Sequence, residues 1–211
     1  MKKIVVPGEL VTEEPKRAGE NVFVRQGKIY STVLGLVDAE HETANVVALQ
    51  GKYLPVQGDL IVGIVQSEVF SGYRIDISSF YMSFLSKKMT RAKLEKGSVI
   101  SAKIVDVDEI NEAELDDVRV FYGGEVMDIS SVKVPRLIGK NGSMLAVLKN
   151  GTGSSIMVGR NGRIWAKDGN LSLLKKAIEK IERESHLSNL TNRIQAFLDE
   201  ENKKTTEKKV M

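Results

Sequence analysis

Val134-Pro135-Arg136-Leu137-Ile138-Gly139-Lys140-Asn141-Gly142-Ser143 sets two glycines around a basic and an amide residue, between an apolar turn and the start of a helix. Gly139 and Gly142 carry no Cβ, so a sugar-phosphate backbone could approach the main chain closely. The free N–H groups that open a helix near Ser143 favour negative charge, and Lys140 adds a mobile positive one. The same four residues would also fit an ordinary turn between two helices, so their surroundings decide the fold.

Upstream, Glu125-Val126-Met127-Asp128-Ile129 with Val132 and Val134 suggests a strand, and Leu137-Ile138 fits one helical turn. Downstream, Met144, Leu145, Val147 and Leu148 form a short apolar helix, with Asn150-Gly151 as the expected stop. Ser155-Ile156-Met157-Val158 and Arg163-Ile164-Trp165-Ala166 flank Gly159-Arg160-Asn161-Gly162, which reads as a β-hairpin with Asn-Gly at its turn. Asn170 then caps a helix whose Leu171, Leu174, Ile178 and Ile181 recur at helical spacing. Strand, helix, Gly-x-x-Gly, helix, strand, strand, helix is the order of a type I KH domain, whose glycine loop clamps about four nucleotides. It covers residues 124–185, which carry eleven Lys and Arg against six Asp and Glu. Such a positive excess fits contact with phosphate.

Residues 55–123 read as a five-stranded OB-type barrel. The runs from Asp59 to Phe70, Gly72 to Ile77 and Ser98 to Val107 are short and β-rich, with Gly58, Gly72 and Gly97 introducing them. Phe80, Tyr81 and Phe84 lie close in sequence to Lys87, Lys88, Arg91, Lys93 and Lys96. Aromatic and basic side chains together suit single-stranded nucleic acid, although the aromatics could equally be barrel core. The acidic run from Asp106 to Asp117 would repel RNA, and is expected in a loop facing solvent or a basic partner.

Residues 1–54 form a small β domain with strands at Val22-Phe23-Val24, Lys28 to Val33 and Asn45 to Leu49, too small to be comfortable alone. Residues 186–199 form a helix with Leu187, Leu190, Ile194 and Leu198 on one face, and residues 200–211 are expected to be a disordered tail. The whole is thus an α+β multidomain chain of 211 residues.

Several classes are excluded by composition. With no cysteine there can be no disulfide, thiolate zinc site or cysteine nucleophile, and the longest apolar runs fall far short of about 20 residues. A cytoplasmic protein without cofactor or metal is expected. His41 and His186 have no companion pattern of nucleophile or base, the acidic run lacks calcium-loop spacing, and no Walker motif occurs. No catalytic residue is expected.

Val6-Pro7-Gly8-Glu9, Gly27-Lys28-Ile29-Tyr30-Ser31-Thr32-Val33-Leu34-Gly35, the link from Gly51 to Asp59 and the Gly139-x-Asn141-Gly142 loop together resemble the RNA-binding cap subunits of the archaeal exosome. These have an N-terminal β domain, an S1-type OB barrel and a KH domain. The resemblance spans residue 4 to about residue 185. It implies a non-catalytic subunit, three copies of which sit on a hexameric phosphorolytic ring, sometimes mixed with a zinc-ribbon cap protein. It also implies that these bind single-stranded RNA at the entrance pore, promote its 3′-to-5′ degradation and favour adenine-rich RNA. The KH motif carries the role of RNA contact to Gly139, Lys140, Asn141 and Gly142, with Arg136 beside them; Lys87, Lys88 and Arg91 are chosen from local charge. An S1/KH RNA-binding module of a transcription or translation machine stays open as the alternative.

Overall fold

Gln26 and Gly27 both take left-handed backbone angles, φ 52° and 74°, and so make the two-residue turn that matches the twist of a tight hairpin. Around this turn the computed structural model builds its first unit, Met1–Gly51; the second is Lys52–Met211. All residues are described except Met1, Lys2, Glu40, His41, Gln50, Arg91 and Met211, with backbone alone for residues 205–210. The first unit has strands β1 (Ile4–Val5), β2 (Leu10–Thr12), β3 (Arg17–Ala18), β4 (Val22–Arg25), β5 (Lys28–Ser31), β6 (Gly35–Asp38) and β7 (Thr43–Ala48). They pair as two sheets, β1-β6-β7-β3 and β2-β5-β4. Its core is small, chiefly Val5, Ile29, Ala44 and Val46. A methyl on Gly35 would lie 2.6 Å from Val47 O, so only glycine lets β6 lie that close to β7.

The second unit opens with the barrel: β8 (Leu60–Glu68), β9 (Gly72–Asp76), β10 (Ser83–Ser86), β11 (Val99–Val107) and β12 (Ala113–Phe121). It closes in the order β10-β12-β11-β8-β9, with β10 and β12 parallel and the other neighbours antiparallel. Alternate residues point inward, so Ile61, Val65, Tyr73, Ile75, Leu85, Ile100, Ile104 and Leu115 fill the interior. β10 and β12 had no place in the sequence expectation. The acidic run is a hairpin rather than a loop, with Asp106 on β11 and Glu114, Asp116 and Asp117 on β12. Ala113 and Leu115 do alternate inward there, but a bulge at Asp117, φ 50°, interrupts the period, and the charged outward positions hide it.

The KH part follows: β13 (Glu125–Asp128), α1 (Val134–Ile138), α2 (Ser143–Thr152), β14 (Ser155–Val158), β15 (Arg163–Lys167) and α3 (Leu171–Glu184), then α4 (Leu190–Val210). The sheet runs β13-β15-β14, entirely antiparallel, and the helices bury Leu137, Met144, Leu148, Leu174, Ile178 and Ile181 against it. The Asn170 side chain accepts from Leu173 N–H at 2.9 Å and caps α3, as its position suggested. α4 adds Leu190, Ile194 and Leu198 to the same core, and burying such side chains stabilises by about 1.5 to 3 kcal/mol each.

Two expectations are corrected here. Gly151 does not stop α2: the helix continues to Thr152, and Gly153, φ 67°, takes the left-handed cap. Gly151 is instead where α4 comes closest, since a methyl there would lie 2.7 Å from Leu198 Cδ1. Of the segment 200–211 expected to be disordered, residues 200–210 continue α4, with neither proline nor glycine to break it, and Met211 lies outside the described residues. Lys204 pairs with Glu200, one turn back, and Asn202 Nδ2 donates to Gly151 O at 2.8 Å, tying this part of the helix to α2.

Candidate nucleic-acid interface

Pro135 occupies the first turn of α1, where its missing N–H costs nothing, and the helix ends after one turn at Gly139. Gly139, Asn141 and Gly142 all have positive φ, at 75°, 52° and 77°. That run of left-handed residues turns the chain from α1 into α2 within four residues. Asn tolerates such a backbone better than other side-chain-bearing residues. A methyl on Gly139 would lie 2.7 Å from Met144 N, so only glycine fits where the loop turns into α2. Gly142 supplies no side-chain cap to α2, whose first turn therefore suits an external acceptor. Arg136, Lys140 and Asn141 are exposed, and neither cation forms an ion pair among the described residues. Lys133, three residues before Arg136, is committed differently: its Nζ donates to Glu182 O at 2.8 Å.

The barrel supplies a second basic surface. Lys87 and Lys88 begin a 3-10 turn directly after β10, capped by the Ser86 hydroxyl, which accepts from Lys88 N–H at 3.3 Å. Lys87 is partly neutralised, with Glu68 at 2.6 Å and its ammonium 5.8 Å from the Tyr73 ring centre. The same pairing holds the Glu68 carboxyl below the usual range, mainly through its hydrogen bond from Lys87. Lys88 has no such partner among the described residues. Arg91, the third residue chosen here, lies outside the described residues. At the same end of the barrel Phe70 stands fully exposed on the β8–β9 turn, a feature the aromatic pattern around residues 80–84 did not reveal. No hydrogen bond or ion pair among the described residues links Lys87 or Lys88 to the glycine loop.

The other barrel aromatics divide. Phe84 lies half-buried on the outer face of β10, and Phe80 is 72% exposed with the Lys52 ammonium 4.5 Å from its ring centre. Neither fills the barrel, which uses Tyr53 and Tyr73 instead.

The sharpest departure concerns the second Gly-x-Asn-Gly, residues 159–162. Its hairpin turn is not a free tip but is pressed onto the barrel. Asn161, only 3% exposed, donates through Nδ2 to Val62 O and Ile77 O, each at 2.8 Å, and accepts from Val62 N–H at 3.2 Å. Arg160 N–H adds a bond to Leu60 O at 2.9 Å. Arg163, almost completely buried, donates to Asp76 O at 2.7 Å and to its carboxylate at 3.0 Å, and approaches Asp128 at 3.5 Å. Beside them Tyr53 donates to Asp59 at 2.7 Å; burial pushes its phenol pKa up, and Asp59 pushes it further. Trp165 stacks on Phe121 with ring centres 4.2 Å apart, extending the joint. This explains why Val62 and Ile61, which point to opposite faces of β8, are both fully buried.

Among the described residues no three His, Asp or Glu side chains are gathered to hold a metal ion. No helix among them is long and apolar enough to cross a membrane.

Residues 2–50 match the family described as the exosome RNA binding protein RRP4 N-terminal domain, and residues 124–172 match the KH domain family. The chain is 37% identical to exosome complex component Rrp4 of Methanosarcina barkeri, an alignment covering 99% of this chain and 86% of the relative. It is 39% identical to exosome complex component Rrp4 of Pyrococcus furiosus, over 93% and 83%. A crystal structure described as that of an exosome complex RNA-binding protein superposes with a TM-score of 0.66 at 32% identity, over 72% of this chain and 98% of the other.

Proposed function

The chain belongs to the Rrp4 family of exosome components, and from that premise we propose that it is a non-catalytic RNA-binding cap that delivers single-stranded RNA to a hexameric phosphorolytic ring. Three copies, alone or mixed with the zinc-ribbon cap protein, would surround the entrance pore. They would promote 3′-to-5′ degradation, with adenine-rich RNA favoured.

One observation carries this reading: the KH part has two loops of the same pattern, and only Gly139-Lys140-Asn141-Gly142 is left exposed, uncapped and beside two unpaired cations. Gly139, Gly142 and the α2 amides would receive the phosphates. Arg136 and Lys140 would supply counterion release, making binding weaken steeply with salt. Asn141 would offer an amide for hydrogen bonding. Lys87, Lys88 and Arg91 would hold a second stretch of RNA at the barrel, with Phe70 offering a stacking face worth about 1 to 3 kcal/mol per base. Three such subunits around one pore act at high effective concentration, so each can bind weakly and the ring still retain RNA.

The test is a mobility-shift titration of the assembled complex carrying Lys140→Asp with Asn141→Asp. Weaker retention by a folded variant is expected, and unchanged retention removes the loop from the RNA path. Recovery of polymerase or ribosomal proteins instead of ring subunits, in a nuclease-treated purification of the tagged chain, would overturn the cap assignment.

A further inference from the structure

An asparagine followed by glycine is a chemically weak point of a chain, because the glycine nitrogen, shielded by no side chain, can attack the asparagine amide. The chain has three such pairs, Asn141-Gly142, Asn150-Gly151 and Asn161-Gly162, each preceded by Lys or Arg. Their local chemistry is therefore nearly the same, and the fold decides which of them reacts. Two are held. Asn161 is buried and its amide is spent on Val62 and Ile77, while a methyl on Gly162 would lie 2.1 Å from Ile129 O. Asn150 is exposed but stands inside α2, whose backbone resists the rotation that would carry its side chain towards the next nitrogen. Gly151 behind it is packed on Leu198, and its carbonyl accepts from Asn202.

Asn141 differs on each count. Its side chain is exposed and makes no hydrogen bond among the described residues. A methyl on Gly142 would meet nothing within 4 Å. The Gly142 and Gly162 N–H groups make similar bonds to the glycine three residues back, at 3.2 and 3.1 Å, so the difference lies in the side chain and the space around it. An exposed single turn also opens by local fluctuation more often than a helix or a buried joint.

We propose that Asn141 is a site of self-modification, at which Gly142 turns the amide into a carboxylate. Gly142 N loses its proton and bonds to Asn141 Cγ; the Cγ–Nδ2 bond breaks, and Nδ2 leaves with that proton as ammonia. Water then opens the cyclic imide at one of its two carbonyls, leaving aspartate or, where the main-chain bond is the one cut, isoaspartate. Lys140 and the positive pole of α2 favour the step by stabilising charge on the nitrogen as its proton leaves. Either product sets a negative charge next to Lys140, and isoaspartate also lengthens the loop's main chain by one carbon. RNA affinity would then fall as the protein ages. That consequence rests on the RNA reading above, whereas the modification does not.

The experiment incubates the full chain at mildly alkaline pH, in buffer and in urea, and follows the three pairs by peptide mapping with mass spectrometry. In urea their rates should agree within about threefold, because the unfolded chain protects none of them. In buffer Asn141 should convert about tenfold faster than Asn150 or Asn161. The modified chain, separated by ion exchange, should bind single-stranded RNA about fivefold more weakly in fluorescence anisotropy. Native rates that are equal at the three pairs, or led by Asn150 or Asn161, overturn the inference whatever happens to RNA. Fast conversion at Asn141 with RNA binding unchanged supports the modification site and removes the loop from the RNA path.

Discussion

Gly139-Lys140-Asn141-Gly142 and Gly159-Arg160-Asn161-Gly162 carry the same side-chain pattern twenty residues apart, and the fold uses them in opposite ways. In the first, Asn141 is exposed and serves the backbone by tolerating φ 52°. In the second, Asn161 is buried and its amide both donates and accepts, matching two carbonyls and one N–H of the barrel. A carboxylate only accepts, so an aspartate of the same shape would lose both bonds that Asn161 donates. A motif of four residues therefore does not state a function. What distinguishes the two is the surface each is pressed against, and the second is spent in fastening the KH part to the barrel.

That contrast breaks most visibly at Asn161. Asn161→Ala leaves Val62 N–H and the Val62 and Ile77 carbonyls without partners, at about 1 to 3 kcal/mol for each unsatisfied buried group. The expected loss is roughly 3 to 5 kcal/mol, measured by urea unfolding. The fluorescence of Trp165, the chain's one tryptophan, should report it, since that ring stacks on Phe121 across the joint. A shift below about 1 kcal/mol would show that the joint does not hold the two parts together.

Next in size is Gly159→Ala, whose methyl would lie 2.5 Å from Val62 N. It should cost about 2 to 3 kcal/mol by the same unfolding assay. Gly142→Ala is its counterpart in the exposed loop, where a methyl meets nothing within 4 Å but the backbone sits at φ 77°. It should cost only about 1 kcal/mol, from strain alone. Equal losses at the two glycines would erase the distinction.

In RNA binding the order of the loops reverses. Lys140→Asp with Asn141→Asp should weaken RNA binding about tenfold at moderate salt and leave the unfolding midpoint in place. The smallest effect is expected at Glu68→Gln, which frees Lys87 and should strengthen RNA binding by about two- to threefold, read by fluorescence anisotropy. Acidification has the same sign. The Glu68 carboxyl titrates below its unfolded value, so its pairing is complete above that value and is lost as pH falls through the lower, folded one. RNA binding that weakens in Glu68→Gln would remove Lys87 from the interface.

Much of the fold was legible locally. The α3 cap at Asn170, the β8, β9 and β11 strands and the alternation that closes a barrel all express themselves within a few residues. β12 escaped because its outward positions are acidic and its bulge at Asp117 breaks the period. The continuation of α4 escaped because a charged, aperiodic stretch reads as solvated chain, whereas its anchors, Gly151 and the Leu198 face, come from elsewhere in the sequence. For the candidate site, Lys140 and Asn141 come from the motif and Arg136 from its place beside it, and the structure leaves all three exposed. The partial neutralisation of Lys87 by Glu68 could not, since nineteen residues and a strand turn separate the pair.

By itself the sequence determined the family, the order of domains and the elements that bury their own faces, because hydrophobic period, turn residues and caps act over a few residues. Only the tertiary structure decided which Gly-x-Asn-Gly loop faces solvent. That choice rests on Asn161 meeting Val62, a partner ninety-nine residues away, and no local pattern encodes such a meeting. The same holds for Gly151: within its own helix it looks like a stop signal, and its role appears only when α4 crosses it. Distant surfaces become neighbours through packing, and packing assigns identical motifs to different work.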